Sequence, residues 1–395
     1  MGAYFGESKK YLYFCRDKHL KLCLSCENDI STTDGRNAMP VPQSNILTTE
    51  RLGRVFSQTV ATYKYFWFLS IMQIYVKEGK ERIDVWDIVI RMVANAWYSI
   101  HYFRLSFGKS DSLFDIATEL QHLTQIPIDA SVENVVAALK ERLNETAIRQ
   151  QLRILTNNVP YRFLSPWIAT SDNKEMVKRS QKLENGCLYA LYKDGNSFYI
   201  QINEAWSDYL QKHYNILVDF TYWNLVSFLQ VRNPNVPAIP SKLIRPEVRN
   251  PLTRQHEYWD KVIELGGPIK CIYTKRELHS NSYELDHFIP WSFVSHDLLW
   301  NLIPSDGSIN SSKSDKLPKM EIYLPRMADL QQHSIKVMVK QKGCAKIMED
   351  YASLGYTPEQ LAKLSKGEFR TIYEKVFMPL SQIASNMGFE TWEYR

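Results

Sequence analysis

The chain has 395 residues, 45% of them apolar and 23% charged, with 48 Lys and Arg against 43 Asp and Glu for a net charge of +5. Such a length sustains two or three domains with real cores, and the composition excludes a fibrous or wholly disordered chain. The mild positive balance permits a nucleic-acid partner without arguing for one, because basic faces are local, and six scattered cysteines point to a reducing compartment rather than a disulfide framework.

Residues 1–44 are polar, end in Pro40-Val41-Pro42 and read as an extended entry segment; residues 1–10 lack the apolar core of a secretory leader. Within that segment Cys15, His19, Cys23 and Cys26 form a set that structural Zn²⁺ would accept. Their spacing matches no familiar finger, and free thiols are the alternative. Residues 45–240 read as a mostly helical recognition or sensor domain. Thr48 and Thr49 can cap a first helix that carries the aromatic run to about residue 75. Its longest apolar stretch, 65–76, is shorter than the ~20 residues a bilayer span needs. Further helices are expected over 83–103, 112–124 and 131–156, with Ser131 capping the last. Residues 188–192 and 197–202 flank Lys193-Asp194-Gly195-Asn196, a hairpin signal, and helical spacing resumes over 204–231. The aromatic content of 13% could serve stacking on unpaired bases, but most of it lies in apolar helical stretches, so core packing is the default.

Five prolines within residues 234–251 mark a semi-rigid connector and a domain boundary near residue 240. Lys242, Arg245, Arg249 and Arg254 face a single acid there, Glu247. They could track phosphates, since each neutralised phosphate adds salt-dependent affinity; a solvated linker is the plainer alternative. Residues 241–325 form the next domain, and 326–395 a block of C-terminal helices. The most informative string lies inside the former: Glu284-Leu285-Asp286-His287-Phe288-Ile289-Pro290, then Asn301, then Asn310-Ser311-Ser312-Lys313. A lone Asp-His pair is usually a solvated turn or a satisfied core histidine. Here His287 to Asn301 is 14 positions, Asn301 to Asn310 is nine and Asn310 to Lys313 is three, and Cys271-Ile272-Tyr273-Thr274 stands upstream.

With those spacings and flanks, the segment 271–318 resembles the HNH endonuclease family, and within it the HNH domain of the type II RNA-guided CRISPR effectors. Lys275 stands where that family often has glycine. The resemblance covers about an eighth of the chain and implies a fold that is mainly α with a small α+β (ββα-metal) nuclease domain. Hydrolysing a phosphodiester requires an activated water and an electrophile for the developing charge. By resemblance Asp286 and Asn310 would hold Mg²⁺, with Mn²⁺ able to substitute, because both offer hard oxygen donors. His287 would be the general base, Asn301 would pin the loop that carries it, and Lys313 would meet phosphate or the leaving group. Asp286 and His287 are adjacent and would point to opposite faces of a regular strand, so the strand end must turn.

The expected function is therefore a cytoplasmic, metal-dependent DNA endonuclease of restriction or anti-phage defence, with no membrane partner and with a protein or small-molecule trigger for its helical domain. The alternatives are a non-catalytic nucleic-acid-binding scaffold that keeps the HNH fold and an RNA-cleaving toxin.

Overall fold

The computed structural model describes residues 41–394 apart from 196, 245–250 and 342. The cluster Cys15, His19, Cys23 and Cys26, together with Arg245 and Arg249, lies outside the described residues. Helices dominate the rest, and no helix among the described residues is long and apolar enough to cross a membrane.

The first hydrophobic core runs from Val41 to Leu243. Its axis is the helix Val85–His101, which Asp84 caps by accepting from the Trp86 amide. Ile88, Val89, Ile90, Met92, Val93 and Trp97 are all buried, so apolar side chains surround the helix, as a helix at the centre of a core requires. Tyr63–Met72, Ser112–Thr124, Val132–Glu141 and Thr146–Thr156 pack around it. The single helix expected over 131–156 is two. Arg142 folds back onto both carboxylate oxygens of Glu145, at 2.6 and 2.9 Å, and the chain turns between them. The hairpin pairs Tyr189–Asp194 with Ser197–Ile202, and Arg82–Asp84 adds an unanticipated third strand. Ile83 is buried between two exposed neighbours, a strand alternation too short to be seen against the helix that follows.

The second core runs from Tyr258 to Phe389, so the C-terminal helices and the nuclease-like segment share one interior. The helix Thr253–Gly266 was not anticipated; the nearby prolines and charges mask its buried stripe of Tyr258, Trp259, Val262 and Ile263. It packs on Met320–Met338, which in turn packs on Lys366–Asn386. Against this frame lie two antiparallel strands, Glu284–His287 and Leu302–Ser305, followed by the short helix Gly307–Lys313. The segment closes with a parallel pairing of Leu317–Pro318 to Thr391–Trp392.

The two halves meet through specific contacts. Arg104, held at φ 55°, donates to the Gly388 carbonyl and at 2.9 Å to Asp315, and its guanidinium lies over the Phe389 ring. Phe103 and Tyr102 touch Trp291 with ring centroids 5.9 and 6.5 Å apart.

Candidate active site

Strand register places the first group. Asp286 pairs with Ile303 and His287 with Leu302, at the end of the short ladder. The Asp286 side chain is 2% exposed. Tyr273 donates its hydroxyl to Oδ2 at 2.7 Å and Lys313 donates to Oδ1 at 2.9 Å. Each oxygen of a carboxylate has two lone pairs, so one remains on each. Burial and the neighbouring Asp286 charge hold the Tyr273 hydroxyl well above its ordinary pKa, so it stays a donor. The turn that presents Tyr273 closes through Lys275, whose amide donates to the Cys271 carbonyl and whose φ is 64°. That left-handed conformation is the one glycine adopts without strain, which accounts for the glycine common there in the resembling family.

His287 turns the other way and still reaches the same cavity. Its Nε2 lies 2.8 Å from Asp297 Oδ1. Asn301 is fully buried and brackets Ile289, accepting from its amide and donating to its carbonyl at 2.9 Å each. Asn310 sits on the short helix, half-buried, and donates to Glu284 Oε2 at 3.2 Å. Asp286, His287 and Asn310 all line one open cleft of about 680 Å³. Part of the lining comes from the first core's domain, through Tyr102, Ile128 and Asp129. Among the described residues that line the cleft, Asp129, Asp286 and Asp315 carry carboxylates and none is Lys or Arg.

Two expected phosphate-binding residues are placed elsewhere. Lys313 is 0% exposed and spends its ammonium on Asp286 and, at 2.7 Å, on the His287 carbonyl, so it cannot front a substrate. Its stem is buried with the helix, while the charge is neutralised internally. Lys242 is also fully buried, donating to the Pro237 carbonyl at 2.6 Å and Ser295 Oγ at 2.8 Å, 5.4 Å from the Phe103 ring centroid. Arg254 is exposed at the start of the helix Thr253–Gly266.

Burial pushes the Lys242 pKa down to about 7 from the ordinary 10.5. The unfolded chain therefore binds more protons between those two values, and stability from this site rises with pH across that window. Wild-type protein should gain ~2 kcal/mol relative to Lys242→Met between about pH 7 and about pH 9. Urea unfolding of both proteins at the two pH values measures it; an unchanged difference would show that the two hydrogen bonds keep the lysine charged throughout.

The sequence offers no signal for Asp297 or for His256, a further cleft residue, and marks Tyr273 only as part of the upstream flank Cys271-Ile272-Tyr273-Thr274. Asp297 stands ten positions after His287 in a loop of no regular period, and only the fold brings the pair together. His296 beside it adds no positive charge near neutral pH, because burial pushes its pKa down to about 4.

Residues 271–319 match the HNH endonuclease family. The match spans the strand pair, the short helix and every site residue between Tyr273 and Lys313. No curated protein and no solved structure shows a match to the chain. The HNH segment points to nuclease chemistry on a nucleic acid, within a protein that is mainly helical with a few small sheets.

Proposed function

We propose that the protein is a metal-dependent endonuclease that hydrolyses DNA phosphodiester bonds. The observation that carries this reading is the convergence of Asp286, His287 and Asn310 on one cleft. Asp286 and Asn310 would hold the ion. Their carboxylate and amide oxygens suit Mg²⁺, or Mn²⁺ in its place, and the lack of a thiolate disfavours Zn²⁺. Among the described residues there is no group of three or more His, Cys, Asp or Glu side chains arranged for a metal. Two protein ligands suit Mg²⁺ nonetheless, since that ion keeps several waters and shares its shell with phosphate. When bound, the ion supplies Lewis-acid stabilisation of the developing charge. His287 takes the proton of the attacking water, and Asn301 holds the loop that carries it.

Lys313 serves the site from behind, tying Asp286 to the His287 backbone. The helical domain supplies part of the cleft lining through Tyr102, Ile128 and Asp129. That position suits presentation of a strand or transmission of a trigger from a protein partner or small molecule. Cytoplasmic restriction or anti-phage defence is the setting we infer for such an enzyme, by analogy with its motif.

Incubation with supercoiled plasmid and with RNA, each in Mg²⁺ and in EDTA, tests the reading. The expected result is nicked or linear plasmid in Mg²⁺ alone. Equal cleavage in EDTA would remove the metal, and cleavage of RNA with sparing of DNA would move the substrate to RNA.

A further inference from the structure

Loop 288–301 is tied down far more firmly than a surface connection needs. Asn301 brackets Ile289, Gln255 Nε2 donates to the Asp297 carbonyl at 3.0 Å, and the Leu299 amide donates to Asp350 Oδ2 at 3.0 Å. Lys242 adds a fourth anchor on Ser295. The loop is thus held at Asp297 itself and two positions to either side, at Ser295 and Leu299, which places the carboxylate that lies 2.8 Å from His287 Nε2. The two side chains are well shielded, 27% exposed for Asp297 and 11% for His287. Asp297 is absent from the cleft lining, whereas His287 is part of it.

We infer that Asp297 is the positioning residue that fixes the tautomer and ring plane of His287. The inference rests on the nuclease reading of the site for its catalytic consequence, but not for its structural content. An ionised carboxylate only accepts, so the imidazole nitrogen facing it carries the hydrogen. The lone pair then resides on Nδ1, and Nδ1 is the atom that accepts the proton from water. The water's O–H bond breaks as the Nδ1–H bond forms, leaving an imidazolium beside the Asp297 carboxylate and hydroxide, which bonds to phosphorus as the P–O bond to the departing ester oxygen breaks. Asp297 itself stays ionised and touches neither water nor phosphate. Its contribution is to remove the alternative tautomer and the freedom of the ring to swing out of line.

Selective ¹⁵N-histidine labelling and long-range ¹H–¹⁵N correlation read the tautomer directly, with His287→Ala used to assign the resonance among the nine histidines. Wild-type protein should show His287 protonated at Nε2, and Asp297→Ala should show a mixture. In Mg²⁺, Asp297→Ala and the isosteric Asp297→Asn should each lower kcat by about 10–100-fold, as loss of a partner that orients a functional histidine does, with KM little changed. Asp297→Glu should recover part of the rate. An Nδ1-protonated His287 in wild type, or undiminished kcat in Asp297→Ala, overturns the inference. The spectroscopic arm needs no cleavage, so the tautomer decides this inference even in a protein that cuts neither DNA nor RNA.

Discussion

Alanine at position 287 is expected to lower kcat by about 10²–10⁴-fold, the usual contribution of a positioned general base, with the fold intact. The structure explains why the two effects separate. What the fold needs from this residue is its backbone: it pairs with Leu302, and its carbonyl accepts from the buried Lys313 ammonium. Alanine keeps both. The imidazole itself is shielded but not at the centre of a core, and its hydrogen-bond partner Asp297 is 27% exposed, so its carboxylate keeps access to water. The stability loss should then be about 1 kcal/mol, a displacement of a few degrees in Tm. Plasmid cleavage rates at saturating Mg²⁺, beside thermal unfolding followed by circular dichroism, make the comparison. Undiminished kcat would strip His287 of its role as the base.

The parts of this site that could be read from the chain are those built over short sequence distances. Asp286, His287, Asn301 and Asn310 fall within a single strand–loop–strand–helix run, so their spacing encodes the register that brings them together. Their partners are another matter. Asp297 occupies an irregular loop, and Tyr273 reaches Asp286 from a separate turn. Tyr102, Ile128 and Asp129 come from a different hydrophobic core altogether, so no local pattern could have joined them to the cleft. The lysines misled for a physical reason. A lysine in a basic connector or on a short helix is normally solvated, and nothing local distinguishes it from one whose long apolar stem carries the charge inward to an internal acceptor. Lys242 and Lys313 both do the latter. The helical half was legible only in part: the helix expected from Thr48 to about residue 75 is instead Thr49–Gly53 and Tyr63–Met72, and Thr48 makes no side-chain cap. The helix Ser112–Thr124 and the hairpin are locally specified, whereas the break after Val132–Glu141 depends on a side-chain pair.

Replacing Asp286 alone should abolish Mg²⁺-dependent cleavage and also destabilise the protein by about 3–5 kcal/mol, the usual consequence of removing one member of a buried ion pair. Lys313 is 0% exposed, and in Asp286→Ala its ammonium would keep the His287 carbonyl as an acceptor but lose its counter-charge. A lost activity in that variant therefore has two explanations, an absent ligand and a damaged fold. The double variant Asp286→Asn with Lys313→Met separates them. Asparagine can still accept from the Tyr273 hydroxyl, methionine fills the volume of the lysine stem, and no charge is left buried without a partner. Neutral replacement of a whole buried pair is often close to free-energy neutral, but Lys313→Met also takes the donor from the His287 carbonyl, so the double variant should unfold within about 1–3 kcal/mol of wild type. It should nonetheless remain inactive, because an amide at position 286 cannot supply the carboxylate charge that a hard cation selects. Urea unfolding and plasmid cleavage on wild type, Asp286→Asn, Lys313→Met and the double variant complete the cycle. A double variant that folds and cuts at the wild-type rate would show that Asp286 serves only to neutralise Lys313, and the cation would have to be held elsewhere in the cleft.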